Sequence, residues 1–232
     1  MLDHELLLQS AKIAGKIALG YWDTGFDVQD KPDGAGPVTD ADIAVDRALK
    51  QALLSARPDY GWLSEESDMS ADRLSKRHVF VVDPIDGTRS YIAKDTSWAH
   101  SLAIVDDGIV THGVIYLPAR DLMYSAVRGT GAFLNGAPIT ASQCADITTS
   151  TLLGARPILD PNHWKAAQVP GFTQHYRPSL AYRMALVAQG RFDAMLTLRA
   201  TWEWDICAGA LIASEAGATV SDKFGNALRF NS

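Results

Sequence analysis

Apolar residues recur at helical spacing at Leu6, Leu7, Ile13, Ile17 and Ala18, which predicts an amphipathic helix over Leu2 to Trp22, ending near Gly20 to Gly25. A second stripe at Ile43, Ala44, Leu49, Leu53 and Leu54 predicts another helix, capped by Thr39 or Asp40 and stopping before Pro58. Between them QDKPDGAGP, Gln29 to Pro37, has no apolar period and predicts an exposed mobile loop, a connector or a lid. The period then changes. Trp62 and Leu63 suggest a short strand ending in Ser64-Glu65-Glu66, and Val79-Phe80-Val81-Val82 has the unbroken apolar run of a strand covered on both faces.

Farther on, Trp98 to Val105 and Ile109 to Leu117 flank Asp106-Asp107-Gly108, a hairpin signal, and Leu122 to Val127 with Ala132 to Leu134 makes a second. RGTGAFLNG is a turn rather than a dinucleotide loop, because Leu134 stands where the third glycine belongs. A small, polar seam at Cys144 to Thr149 divides the chain into halves at 1–145 and 146–232. The second half predicts strands at Leu152 to Ala155, Phe172 to Tyr176, Phe192 to Leu198 and Ala218 to Val220, with a short helix at Asn162 to Gln168. It also predicts a helix at Ser179 to Gln189 stopped by Gly190, and one within Trp202 to Gly217 capped by Asp205. Ala208, Gly209, Ala210 and Ala213 would let that last helix approach a sheet closely.

The chemistry begins where Val79 to Val82 runs without transition into Asp83-Pro84-Ile85-Asp86-Gly87-Thr88. Open α/β sheets bind ligands at the carboxyl ends of their strands. Two aspartates pinned by a proline can share hard cations at oxygen distances of roughly 2.0 to 2.6 Å. Gly87 lets backbone come close, and N–H groups opening the next turn suit a phosphate. The same residues also suit an ordinary strand-to-helix turn with an aspartate cap, and Glu65-Glu66 also suits solvated surface.

Composition narrows the partners. The 232 residues carry a formal charge of −6 with no lysine–arginine cluster, which excludes a nucleic-acid-tracking face. No apolar run reaches the roughly 20 residues of a membrane span, and MLDHELLLQ carries acids where a signal peptide carries bases, so a soluble cytoplasmic protein is expected. Cys144 and Cys207 have no metal-ligand spacing and are expected to be reduced, buried thiols.

Asp83-Pro84-Ile85-Asp86-Gly87-Thr88, with Ser64-Glu65-Glu66, Pro37-Val38-Thr39-Asp40-Ala41-Asp42 and Trp204-Asp205-Ile206-Cys207-Ala208-Gly209, resembles the inositol monophosphatase superfamily of metal-dependent, lithium-sensitive phosphatases. The resemblance implies an α/β (α+β) fold, a five-layer αβαβα sandwich, forming a homodimer that hydrolyses a small-molecule phosphate monoester with two or three Mg²⁺. Carried onto matching positions, Glu65, Asp83 and the carbonyl of Ile85 would hold one ion, and Asp83, Asp86 and Asp205 the second. Thr88 and Asp40 would orient and deprotonate the attacking water, with Glu65 assisting. The N–H groups of Gly87 and Thr88 would bind phosphate, Ser179 and Asp205 would line the substrate pocket, and Lys31 would approach from its loop. Two cations roughly 3.5 to 4 Å apart suit an in-line displacement at phosphorus.

Leu198 and Thr197 stand where inositol-specific members place a glutamate. Arg199, in L-R-A-T-W-E-W-D, is more similar to members acting on 3'-phosphoadenosine 5'-phosphate, where a cation could meet a second phosphate. Histidinol phosphate and fructose 1,6-bisphosphate remain alternative substrates, and a non-catalytic phosphate or polyol binder an alternative role. A phospho-aspartyl mechanism of the haloacid dehalogenase kind fails on spacing, since two residues separate Asp83 from Asp86.

Overall fold

The computed structural model describes residues 1–34 and 36–232, the side chain of Asp33 excepted. Helix α1 (Asp3–Thr24) leads into a hairpin of β1 (Val28–Asp30) and β2 (Pro37–Thr39), followed by α2 (Asp40–Ala56). The stretch expected as a mobile loop is thus a hairpin whose tip carries a 3-10 turn at Pro32–Gly34; Ala35 lies outside the described residues. Thr39, not Asp40, caps α2: the N–H of Asp42 donates to its hydroxyl while the Asp42 carboxylate accepts from the Thr39 N–H, a reciprocal pair that satisfies two otherwise unpaired donors.

Seven strands follow in one sheet, in spatial order of sequence: β3 (Gly61–Ser64), β4 (His78–Asp86), β5 (Ala99–Asp106), β6 (Ile109–Leu117), β7 (Leu122–Val127), β8 (Ala132–Leu134) and β9 (Ala137–Ile139). Only β3 and β4 are parallel; the other neighbours run antiparallel. Both predicted hairpins form. After β4 comes a single short helix, α3 (Thr88–Ile92). The second half supplies β10 (Thr151–Leu153), β11 (Thr173–His175), α4 (Leu180–Ala188), β12 (Ala194–Met195) and α5 (Glu203–Glu215), with the three strands forming a parallel sheet in the order β11-β10-β12.

The layers follow from which face each apolar residue takes. Phe80, Val82 and Leu102 pack with Leu7, Leu49 and Leu53 of α1 and α2, while Val79, Val81 and Ala103 pack with Ala185, Leu211 and Ile212 of α4 and α5. That second cluster also holds Leu153, so it joins residues from both halves of the chain. On β10 successive side chains oppose each other, and Leu152 turns away to meet Ile158, Phe172 and Trp164. The order is helix, sheet, helix, sheet and an outer layer, as expected. The outer layer, however, is built of 3-10 turns at Arg156–Leu159, Pro161–His163 and Lys165–Ala167 rather than an α-helix, since Pro157 and Pro161 deny the backbone donors a helix needs.

Close approach explains the small residues of α5. A Cβ on Gly209 would lie 2.7 Å from Met184 Cβ, and one on Gly113 of β6 would lie 2.9 Å from Ala208 O. Three other expectations change. Phe192 to Leu198 keeps only two strand residues, Ala218 to Val220 is not a strand, and Cys144 is exposed while Cys207 is buried.

Candidate active site

A regular strand would aim Asp83 and Asp86 at opposite faces, because residues three apart have opposite parity. A bulge reverses this. Asp83 pairs with Ser101 and Asp86 with Ala99, so Pro84 and Ile85 together oppose His100 alone. Ile85 consequently packs into the α1/α2 cluster, and Asp83 and Asp86 both face α5. His100 is fully buried beside the bulge, its Nδ1–H donating to Pro84 O, while its Nε2 has no partner among the described residues. Burial lowers its pKa to about 4, so the ring is neutral.

The third carboxylate comes from α5. Trp202 caps that helix, correcting the assignment of the cap to Asp205, which sits one turn inside and accepts the Trp202 N–H at 3.1 Å. One carboxylate oxygen from each of Asp83, Asp86 and Asp205 lies within 4.8 Å of the other two. Asp83 and Asp86 are buried and Asp205 partly so. Burial, then repulsion from Glu65, Asp86, Asp205 and Asp42, raises the Asp83 pKa well above the ordinary range. Burial and the charge of Asp205 push Asp86 to about 7, against the opposing bonds from Ser179 and Ala181. Burial likewise lifts Asp205 to about 6. Asp83 Oδ1 is buried without a hydrogen-bond partner among the described residues. Converging hard oxygens, crowded charge and an orphaned acceptor are what a divalent cation relieves, so these residues fit Mg²⁺.

Glu65 stands slightly apart, extending the end of β3. Lys31, from the β1–β2 hairpin, places its Nζ 2.7 Å from Glu65 Oε1 and 2.6 Å from Glu66 Oε1. Burial opposes its charge, but the two glutamates prevail and raise its pKa; Glu66, more deeply buried, is pushed up to about 7. The expected approach of Lys31 is therefore made to the glutamate pair. Asp46 of α2 holds this segment, accepting from Ser64 Oγ at 2.5 Å and Ser67 Oγ at 2.7 Å.

The carboxylate that meets Thr88 is Asp42. Thr88 Oγ1 lies 3.3 Å from Asp42 Oδ1 and 3.2 Å from Ile85 O, while Asp40 turns aside to accept the Asp27 N–H. Burial raises Asp42 to about 6. The Thr39-x-x-Asp42 spacing of a capping box was the signal that could have separated these neighbours, because it fixes Asp42 on the side of α2 that turns back toward the strand ends. Asp46, one helical turn on, could have been found with it. His100 left no comparable signal in the sequence.

Ser179 does not present a free hydroxyl to substrate. It caps α4, accepting from Tyr182 N at 3.0 Å, and donates to Asp86 Oδ2 at 2.5 Å; the Ala181 N–H reaches the same oxygen at 2.6 Å. Gly87 has φ +99°, and a Cβ there would meet Ser97 O at 3.3 Å, so both conformation and space require glycine. Arg199 is exposed and makes no ion pair among the described residues, though its charge is felt at Asp205. Arg183 is 5% exposed, stacked on the Tyr176 ring at 4.6 Å, and its own charge is supported by that of Asp86.

Comparison with known proteins supplies the context. The sequence profile of the inositol monophosphatase family matches residues 4–231. A histidinol-phosphatase of Chlorobaculum parvum is 33% identical over 231 residues, 95% of this chain and 85% of that protein. A 3'(2'),5'-bisphosphate nucleotidase of Escherichia coli O157:H7 is 30% identical over 233 residues, 99% of this chain and 94% of that one. Among solved structures, an IMPase of Thermotoga maritima superposes with a TM-score of 0.84 at 27% identity, covering 95% of this chain and 85% of its own.

Proposed function

This chain belongs to the inositol monophosphatase family, and from that premise we propose that it is a Mg²⁺-dependent phosphomonoesterase, lithium-sensitive and homodimeric, whose substrate is a small phosphate monoester of the inositol monophosphate or 3'-phosphoadenosine 5'-phosphate class. The observation that carries the reading is the convergence of Asp83, Asp86 and Asp205 within 4.8 Å. These three, with Glu65 and the carbonyl of Ile85, would hold the ions.

When bound, Mg²⁺ supplies the Lewis acidity that lowers the pKa of the attacking water and neutralises charge on the leaving oxygen. The protein positions everything else. Ser179 and Ala181 both bond Asp86 Oδ2, which fixes the carboxylate and leaves Oδ1 free to hold an ion. Thr88, whose Oγ1 lies 3.3 Å from Asp42 Oδ1, would accept the water's proton as its own passes to Asp42 Oδ1. With a pKa of about 6, Asp42 is matched to neutral-pH proton transfer. The N–H groups of Gly87 and Thr88, at the start of α3, would take a phosphate oxygen, and Arg199 a second anionic group.

The test is phosphate release from inositol 1-phosphate, 3'-phosphoadenosine 5'-phosphate, histidinol phosphate and fructose 1,6-bisphosphate, compared by kcat/KM with Mg²⁺ and after chelation. Turnover should vanish with EDTA, return with Mg²⁺, and fall by at least about a thousandfold in Asp86→Asn. Turnover indifferent to chelation would falsify the assignment.

A further inference from the structure

Beside the catalytic loop lies a pocket of about 410 Å³ whose walls include Asp95, Ser97, Arg120, Tyr182, Arg177 and Arg191. Three arginines and one aspartate line it, in a chain of net charge −6. None of the three forms an ion pair among the described residues. Three arginines against one aspartate leave the lining with a surplus of positive charge, which an anion entering the pocket would offset.

The pocket is also held in shape. Arg120 donates from Nε to Thr96 O at 3.0 Å, from Nη1 to Tyr182 OH at 3.1 Å and from Nη2 to Ser97 Oγ at 3.0 Å, which leaves one N–H on each terminal nitrogen. Arg177 lies over the Phe192 ring at 5.7 Å, and its backbone is fixed from below by the buried Arg183, whose guanidinium donates to Arg177 O and Pro178 O. Asp95 accepts the Ser97 N–H on Oδ1 at 2.7 Å, and its single charge is outnumbered by the three arginines. Arg191 makes no side-chain bond among the described residues. Ser97 forms the common wall, since its carbonyl crowds Gly87 while its hydroxyl is held by Arg120.

We propose that this pocket is a binding site for a small oxyanion of the phosphate type, separate from the carboxylate cluster and backed against the Gly87 loop. Arg191 provides free donors, Arg177 those left after its Nη1 donates to Tyr176 O at 2.7 Å, and Arg120 the fixed floor. The oxyanion is either a free anion or the second anionic group of a doubly charged substrate.

The metal-free protein isolates the pocket, because without cations the cluster of Asp83, Asp86, Asp205 and Glu65 repels anions. Titration calorimetry of inorganic phosphate into EDTA-dialysed protein at low salt should show one saturable site, weakened at least about tenfold in Arg177→Gln/Arg191→Gln. An absence of saturable binding, or equal binding by a double variant with unchanged thermal unfolding, overturns the proposal. This arm is independent of the phosphatase reading. A kinetic arm, which rests on that reading, separates the two sources: a KM increase confined to bisphosphate substrates assigns the pocket to a substrate's second group, and unchanged KM alongside lost phosphate binding assigns it to a free anion.

Discussion

Asp86→Asn should stabilise the metal-free protein while ending catalysis. The carboxyl goes from an ordinary 3.8 to about 7 on folding, mainly through burial and the charge of Asp205. At about 1.4 kcal/mol per pH unit, keeping it ionised at pH 8 costs folding on the order of 4 kcal/mol. Asparagine avoids that cost, and its amide oxygen still accepts from Ser179 Oγ and Ala181 N, losing only the charge-assisted part of those bonds. Loss of the charge-assisted part of those two bonds offsets about half of this, leaving a net gain of about 2 kcal/mol, or roughly 4 to 8 °C in Tm for a chain of this size.

The sign depends on pH. Below the unfolded pKa the acid is protonated in both states, so wild type and variant should melt together in that respect. As pH rises toward 7 the unfolded chain releases the proton and the folded one keeps it; the variant's advantage grows, then levels off above the folded pKa. Thermal unfolding in EDTA at about pH 4.5 and pH 8 reads this directly. Mg²⁺ should then raise the wild-type Tm and leave the variant nearly unmoved. A variant less stable than wild type at pH 8 without metal, or a gain equal at both pH values, refutes the reasoning.

Asp42→Asn should lower kcat by about a hundredfold or more, and Asp40→Asn by no more than about threefold; the reverse order would return the proton-accepting role to Asp40. Mg²⁺ affinity should rise at least about tenfold between pH 5.5 and 8, because protons on Asp86, near 7, and Asp205, near 6, must leave first; calorimetry in two buffers of different ionisation enthalpy should detect their release, and a flat profile contradicts it. His100→Leu should speed amide hydrogen exchange at residues 85–87 of the metal-free protein by about tenfold, with His100→Asn restoring protection by donating to Pro84 O; unchanged exchange in His100→Leu means the bulge holds itself.

Local chemistry made much of this protein legible in one dimension. The periods of α1 and α2, the valine run of β4, the hairpin at Asp107-Gly108 and the small residues of α5 all express preferences that act over a few residues, and each formed close to its predicted place. Among the described residues no helix is long and apolar enough to cross a membrane, as the run lengths indicated. The short strand β12 was less legible, because its pairing partner β10 lies about 40 residues away in the chain.

Which aspartate faces Thr88, which way Asp86 points and whether Ser179 is free were decided by the tertiary structure. A bulge depends on register with a neighbouring strand, so the parity that brings Asp83 and Asp86 to one face is invisible in either strand alone. The raised pKa values have the same origin: a carboxylate acquires an environment only when other elements remove its water and set like charges beside it. The sequence named the carboxylates by kind and spacing, and long-range packing turned them into one charged centre.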